Sequence, residues 1–334
     1  MSFPVSRHSD RELASDFSGE VFVCDIDRTY LATRFSSLKG LARIPLEFAV
    51  DKHDIEGMVP LLKEVRRGPQ AQSRSTPLYF ISASPKELRG VIERKMLLDG
   101  LEYDGTTFKD WGRVLRSLSL RRLREQLGFK ITALLVGRQT LPAGALEVLL
   151  GDDLESDALA FALYADILAR RVPEAELVPL LARHGVAEGD AHGIRRLARL
   201  VPPCAGVGRA LIRMERYQAP AVFRDFAPGV LACRGAVQMA IALAAQGSIS
   251  PASVVRVARD VVARGTDRST LAERLADSVA RGLTTREHAI ALKAELAAAG
   301  LVEPSVELPE LEADWAEALA RPHDAAWTPA RMRA

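Results

Sequence analysis

The sequence predicts an α/β protein, a doubly wound parallel sheet followed by an appended all-α C-terminal domain. Three observations predict it. Short runs of β-branched and aromatic residues alternate with longer stretches of helical spacing as far as Tyr164. The first and last of these runs end directly in acidic residues, at Asp25 and at Asp152. Beyond Glu155 the spacing is helical.

The stretch Glu20-Val21-Phe22-Val23-Cys24 is short and apolar and reads as a buried strand of a parallel sheet. Asp25 and Asp27 fall where that strand runs out. Side chains two apart in an extended chain point to the same side, so the two acids share one space at a carboxyl strand end, where open α/β sheets bind ligands. Two negative charges that close need a cation or a shared proton. Residues 30–53 are irregular, and the stretch 30–55 has the length and position of a flap over that space. DIEGMVPLLKEVRRG has helical spacing, and TPLYFIS reads as a second buried strand. SPKELRGVIERKMLLDG reads as a helix with Ser84 as N-cap, Pro85 as first residue, Glu87 as capping-box partner and Gly100 closing the far end. LEYDGTTF is a third strand candidate, a helix starts near Lys130, and ALEVLLGDD is the fourth strand, again ending in acids. No fifth strand is expected after Tyr164.

This divides the chain into an N-terminal tail at 1–17, an α/β domain at 18–170, a helical domain at 171–302 and a Pro-rich, loosely docked C-terminal tail at 303–334 with one short helix around Trp315. With 334 residues, 48% hydrophobic and 26% charged, the composition is that of a globular protein with a sizeable core. A net charge of +2 is too small to argue for nucleic acid as a partner. Cys24, Cys204 and Cys233 lie far apart without C-x-x-C spacing, which predicts a reducing compartment and no zinc site. No signal peptide is read at the N-terminus, and GAVQMAIALAAQG is too short to span a bilayer, so a cytoplasmic location is expected. Arg113, Arg116, Arg121, Arg122 and Arg124 form a basic run. It reads either as a solvated face or as a positive rim that gathers anionic substrates or an acidic membrane surface by peripheral contact.

Four motifs line up in one order. DIDRT carries Asp25, Asp27 and Thr29; LYFISAS ends its strand on Ser82; Lys130 stands at the head of a helix; and GDDLESD carries Asp152, Asp153 and Asp157. A hydroxyl and free N–H groups at a helix start suit an anion. Carboxylates gathered at strand ends suit a hard cation such as Mg²⁺, which takes a few carboxylates plus phosphate and water.

These motifs resemble those of the haloacid dehalogenase (HAD) superfamily of phosphotransferases. DIDRT, the Gly57-Met58 pair, YFISASP, FKDWG and GDDLESD are similar to the phosphatidate phosphatase catalytic domain first described in an actin-patch protein, over roughly residues 18–165. The resemblance implies a HAD-like, Rossmann-like catalytic domain at 18–170 and a Mg²⁺-dependent phosphatase. Asp25 would be the nucleophile that forms an aspartyl-phosphate, and Asp27 the general acid and base. Mg²⁺ would lie between Asp25, the main-chain carbonyl of Asp27 and Asp152. Ser82 and Lys130 would hold the phosphoryl oxygens, with Thr29 in the same phosphate-binding turn, and Asp153 and Asp157 in support. A phosphorylated small molecule or a phospholipid head group is the substrate implied. The chain departs from close relatives at Arg28, where they carry a third acid, and at Asp153 and Ala158, where they often carry Ser and Pro. The second reading is a non-catalytic binding or regulatory protein on a HAD-like core, with the helical half as its partner surface.

Overall fold

The computed structural model describes residues 3–32, 53–70, 72–112, 126–215, 219–322 and 324–333. Its strands are β1 (Val5–Ser9), β2 (Glu20–Asp25), β3 (Leu78–Pro85), β4 (Gly105–Lys109), β5 (Leu146–Asp152), β6 (Val207–Arg213) and β7 (Val230–Cys233). They form one sheet in the order β1-β4-β3-β2-β5-β6-β7. Every pairing is parallel except that of β1 with β4. The chain lays down β2, β3 and β4 in one direction, then returns to the other side of β2 for β5, β6 and β7. The order therefore reverses between β2 and β5, and the carboxyl ends of that pair flank the crevice where open sheets take their ligands.

Alternation along the strands supplies two cores. Val21 and Val23 of β2, Tyr79 and Ile81 of β3 and Ala210 and Ile212 of β6 face one side. There they pack under α3 (Leu127–Arg138), α4 (Asp157–Leu168), α5 (Glu174–Arg183) and α6 (Glu188–Leu200). Phe22 and Cys24, Leu78 and Phe80, and Leu211 face the other. That side is covered by α1 (Met58–Arg67), α2 (Arg89–Leu98), α7 (Ala236–Ala245), α8 (Pro251–Ala263), α9 (Arg268–Ala280) and α10 (Arg286–Ala298). The fold is thus α/β, a mostly parallel, Rossmann-like sheet with helices on both faces. Among the described residues, no helix is long and apolar enough to cross a membrane.

Several expectations are corrected. Residues 171–302 are not all-α: they carry β6, the fifth parallel strand, and β7 beyond it, and their helices divide between the two faces of the sheet. VGRALIR hides its strand character behind Gly208 and two arginines, one of which, Arg209, is paired with Glu20 at 2.9 Å. The N-terminal segment is no simple tail, because the polar VSRHS is the antiparallel edge strand β1, where one face needs no core. The capping box at Ser84 is absent. β3 runs through to Pro85, a 3₁₀ turn at Lys86–Leu88 precedes α2, and the Ser84 hydroxyl is engaged elsewhere. Gly100 does close the far end, with φ of 65°.

The C-terminal stretch is docked firmly. Fully buried Asp166 accepts the backbone N–H of Trp327 and of Thr328, both at 2.9 Å. The indole of Trp327 lies so close over Gly229 that a Cβ there would come within 2.0 Å of the ring. Gly229→Ala is therefore expected to cost about 1–3 kcal/mol by overpacking, and to quench or shift the Trp327 fluorescence as the tail lifts. An unchanged melting temperature would refute the close packing.

Glu147, at the start of β5, is 1% exposed, accepts the Tyr164 hydroxyl at 2.7 Å and lies 3.6 Å from Arg138. Burial pushes its carboxyl up to about 7, against the opposing pull of Arg138 and of Tyr164. A carboxyl raised by folding holds its proton more tightly in the native state. Its contribution is complete below the unfolded value and is lost as pH rises through about 7. Relative to Glu147→Gln, wild type should lose on the order of 3 kcal/mol between about pH 4 and pH 8, read by urea unfolding at each pH. Parallel pH profiles would contradict this.

Candidate active site

The site lies at the carboxyl ends of β2 and β5, where the strand order reverses. β2 ends on Asp25, whose side chain is fully buried. Neither of its carboxylate oxygens accepts a hydrogen bond, although Lys130 Nζ stands 3.2 Å from Oδ1. Asp27, two residues further, is oriented by two hydroxyls: Ser82 Oγ donates to Oδ2 at 2.7 Å, and Ser84 Oγ reaches both oxygens at 3.0 Å. The next residue, Arg28, takes a left-handed conformation with φ of 62°, which turns the chain back so that its N–H meets Leu31 O at 2.7 Å. Thr29 is buried in the same turn and its hydroxyl has no hydrogen-bond partner.

From the other side, β5 delivers Asp152, whose Oδ1 accepts the N–H groups of Leu154 at 2.7 Å and Glu155 at 3.2 Å. Asp157 opens α4 and folds back on the strand end, where its Oδ2 accepts Asp152 N–H at 3.0 Å. Gly151 makes that return possible, since a Cβ there would sit 2.5 Å from Asp157 Oδ2. Lys130, in the first turn of α3, is completely buried. Its ammonium pairs with Asp157, with Asp25, and with Glu155 at 2.7 Å.

Electrostatics makes this cluster incomplete as it stands. One lysine faces three carboxylates, and Asp152 adds a fourth nearby. Burial works to lower the Lys130 pKa, but Asp157, Asp25 and Glu155 outweigh it and hold the ammonium well above its ordinary value. Burial drives the Asp25 carboxyl well up, against the pull of Lys130, with Asp157 and Glu155 pushing the same way as burial. Asp152 is pushed up to about 7, by burial first and then by Asp157. Asp25, Asp152 and Asp157 each offer an oxygen within 4.8 Å of the others, and Asp152 Oδ2, like both Asp25 oxygens, is buried without a hydrogen bond. An all-oxygen, buried and underbalanced donor set fits a hard divalent cation of the Mg²⁺ kind.

The structure thus gathers Asp25, Asp27, Ser82, Lys130, Asp152 and Asp157 at one crevice. Asp157, expected in support of Lys130 and the metal shell, pairs with Lys130 and also offers an oxygen within 4.8 Å of Asp25 and Asp152, while the Asp27 side chain turns to the serines. One placement differs from expectation. Asp153, expected in support of Lys130, instead accepts the N–H of Glu215 at 2.7 Å. The sequence reading missed Ser84, taken for a cap, and Glu155, which accepts Gln126 Nε2 at 2.8 Å besides Lys130. It also missed Arg213 and Glu215, since β6 was not foreseen. The acids of GDDLESD signal Glu155, but only the turn into α4 decides which of them meets the lysine. The flap expected at 30–55, apart from its ends, and the arginine run from Arg113 to Arg124 lie outside the described residues. No protein-family model matches this chain, nor does any curated protein or solved structure.

Proposed function

We propose that the protein is a HAD-like, Mg²⁺-dependent phosphomonoester hydrolase that works through Asp25. One observation carries this: a buried carboxylate at the strand-order reversal has both oxygens free of hydrogen bonds, with Lys130 at 3.2 Å and two further carboxylates within 4.8 Å. Structural carboxylates are normally hydrogen-bonded when buried, whereas a nucleophile needs a lone pair free to attack. Members of the family that the motifs resemble continue into a fifth parallel strand, and β6 provides one beside β5.

In this reading Asp25 attacks phosphorus and forms an aspartyl-phosphate as the bond to the leaving oxygen breaks. Asp27, held by Ser82 and Ser84, gives its proton to that oxygen; it then takes one from the water that attacks phosphorus and regenerates Asp25. Lys130 neutralises phosphoryl oxygens beside Asp25. Asp25, Asp152 and Asp157 would hold Mg²⁺, which when bound draws charge from those oxygens. The substrate is a phosphomonoester, either a small metabolite or a phospholipid head group.

The test is phosphate release from a chromogenic phosphomonoester by wild type and Asp25→Asn, in Mg²⁺ and in chelator. Release that requires Mg²⁺ and vanishes in the variant supports the proposal. Equal release by the two proteins overturns Asp25 as nucleophile, and no release by wild type across a phosphomonoester panel overturns the enzyme reading.

A further inference from the structure

The C-terminal half contributes two charged residues to the crevice. Arg213 is the last residue of β6 and pairs in register with Asp152 of β5. Its side chain crosses back over the end of β5 to the turn after β2. There Nε, at 3.1 Å, and Nη2 both donate to the main-chain carbonyl of Arg28. The same Nη2 donates to Glu215 Oε2 at 2.6 Å, while Glu215 Oε1 pairs with Arg28 Nη1 at 3.3 Å. The Glu215 N–H is held by Asp153, and the Asp153 N–H bonds Arg213 O at 3.2 Å. Four residues thus close a ring that ties the turns after β2, β5 and β6 together. Arg28 and Asp153, both departures from the family pattern, belong to this one ring.

We infer that Arg213 is a positioning residue for general-acid catalysis: its fork on the Arg28 carbonyl fixes the turn that aims Asp27. This rests on the phosphatase reading above. Arg28 is a non-glycine residue at φ 62°, a conformation that persists only where the surroundings impose it. The double hydrogen bond to its carbonyl helps impose it, and the peptide so held joins Arg28 to Thr29, on the far side of the residue that directly follows Asp27. Ser82 and Ser84 fix the Asp27 carboxylate from the β3 side, so the ring supplies the opposing constraint on its backbone. Reach to the leaving oxygen depends on both, and general-acid geometry tolerates little displacement. A planar fork cannot be replaced by a lysine, whose ammonium makes no bidentate contact.

The test compares kcat/KM of the full-length wild type and Arg213→Lys in Mg²⁺ on two substrates, an alkyl phosphate and p-nitrophenyl phosphate. The ratio reports only the transfer to Asp25, and a poor alkyl leaving group needs the proton from Asp27 whereas nitrophenolate does not. Because both rates come from one sample, partial unfolding of the variant cancels. The expected result is a fall of about 10- to 100-fold on the alkyl phosphate against less than about threefold on the aryl one, as a partial loss of a 10²–10⁴-fold general-acid term. An equal fall, or none, on both substrates overturns the role of Arg213 and leaves the phosphatase reading standing. Wild type inactive on both overturns that reading, and the inference with it.

Discussion

Lys130→Met is expected to destabilise the protein by about 3–5 kcal/mol at pH 8 and to abolish phosphate release. Methionine keeps most of the volume of the buried stem, so packing changes little. What disappears is the ammonium that faces Asp25, Glu155 and Asp157. The Asp25 and Asp157 carboxyls stay fully buried, and their pKa values move further up in the direction that burial already drives both. The loss must therefore depend on pH. Near pH 4 the acids take up protons and the variant approaches wild type; as pH rises they ionise without a partner and the gap widens. Mg²⁺ should recover part of the gap, since a cation bound only by the folded state stabilises it. Urea unfolding at several pH values, with and without Mg²⁺, reads all three effects. A gap that stays constant with pH would mean that Lys130 contributes packing rather than charge.

The same physics explains what could be read from the sequence. EVFVC followed by Asp25 is legible because a fully buried parallel strand must be apolar throughout, so acids directly after it mark its carboxyl end. GDD after LEVLL is legible for the same reason. β6 escapes that logic: Arg209 and Arg213 interrupt VGRALIR, and only the tertiary partners Glu20 and the Arg28 carbonyl make them tolerable. β7 has four residues and runs almost directly into the Ala-rich α7, so no local period separates them. Ser84 was misjudged because a serine before Pro-Lys-Glu is a good N-cap by local rules. Asp27, far away in sequence, competes for its hydroxyl and wins. Local chemistry therefore named the candidate carboxylates, while the residues that orient them depend on contacts that no short window contains.

Asp25→Asn should separate activity from stability in opposite directions. Activity falls by about 10⁴-fold or more, because an amide neither attacks phosphorus nor leaves from it. In chelator, however, the variant is expected to unfold at a higher temperature than wild type at pH 8. Both oxygens of Asp25 are buried without hydrogen bonds, and the folded state holds that carboxyl well above its ordinary pKa, chiefly through burial. With the folded pKa raised, stability is complete below the unfolded value and is lost as pH rises, so wild type bears an ionisation penalty at pH 8 that asparagine lacks. Lys130 keeps Asp157 and Glu155 as partners in the variant, so no cation is orphaned. The advantage should shrink toward pH 4, where Asp25 carries its proton, and it should shrink or reverse in Mg²⁺, which has lost a ligand in the variant. Melting curves at the two pH values, in chelator and in Mg²⁺, give the four numbers needed. A variant less stable than wild type in chelator at pH 8 would show that Lys130 already compensates Asp25, and that the crevice has no need of a second cation.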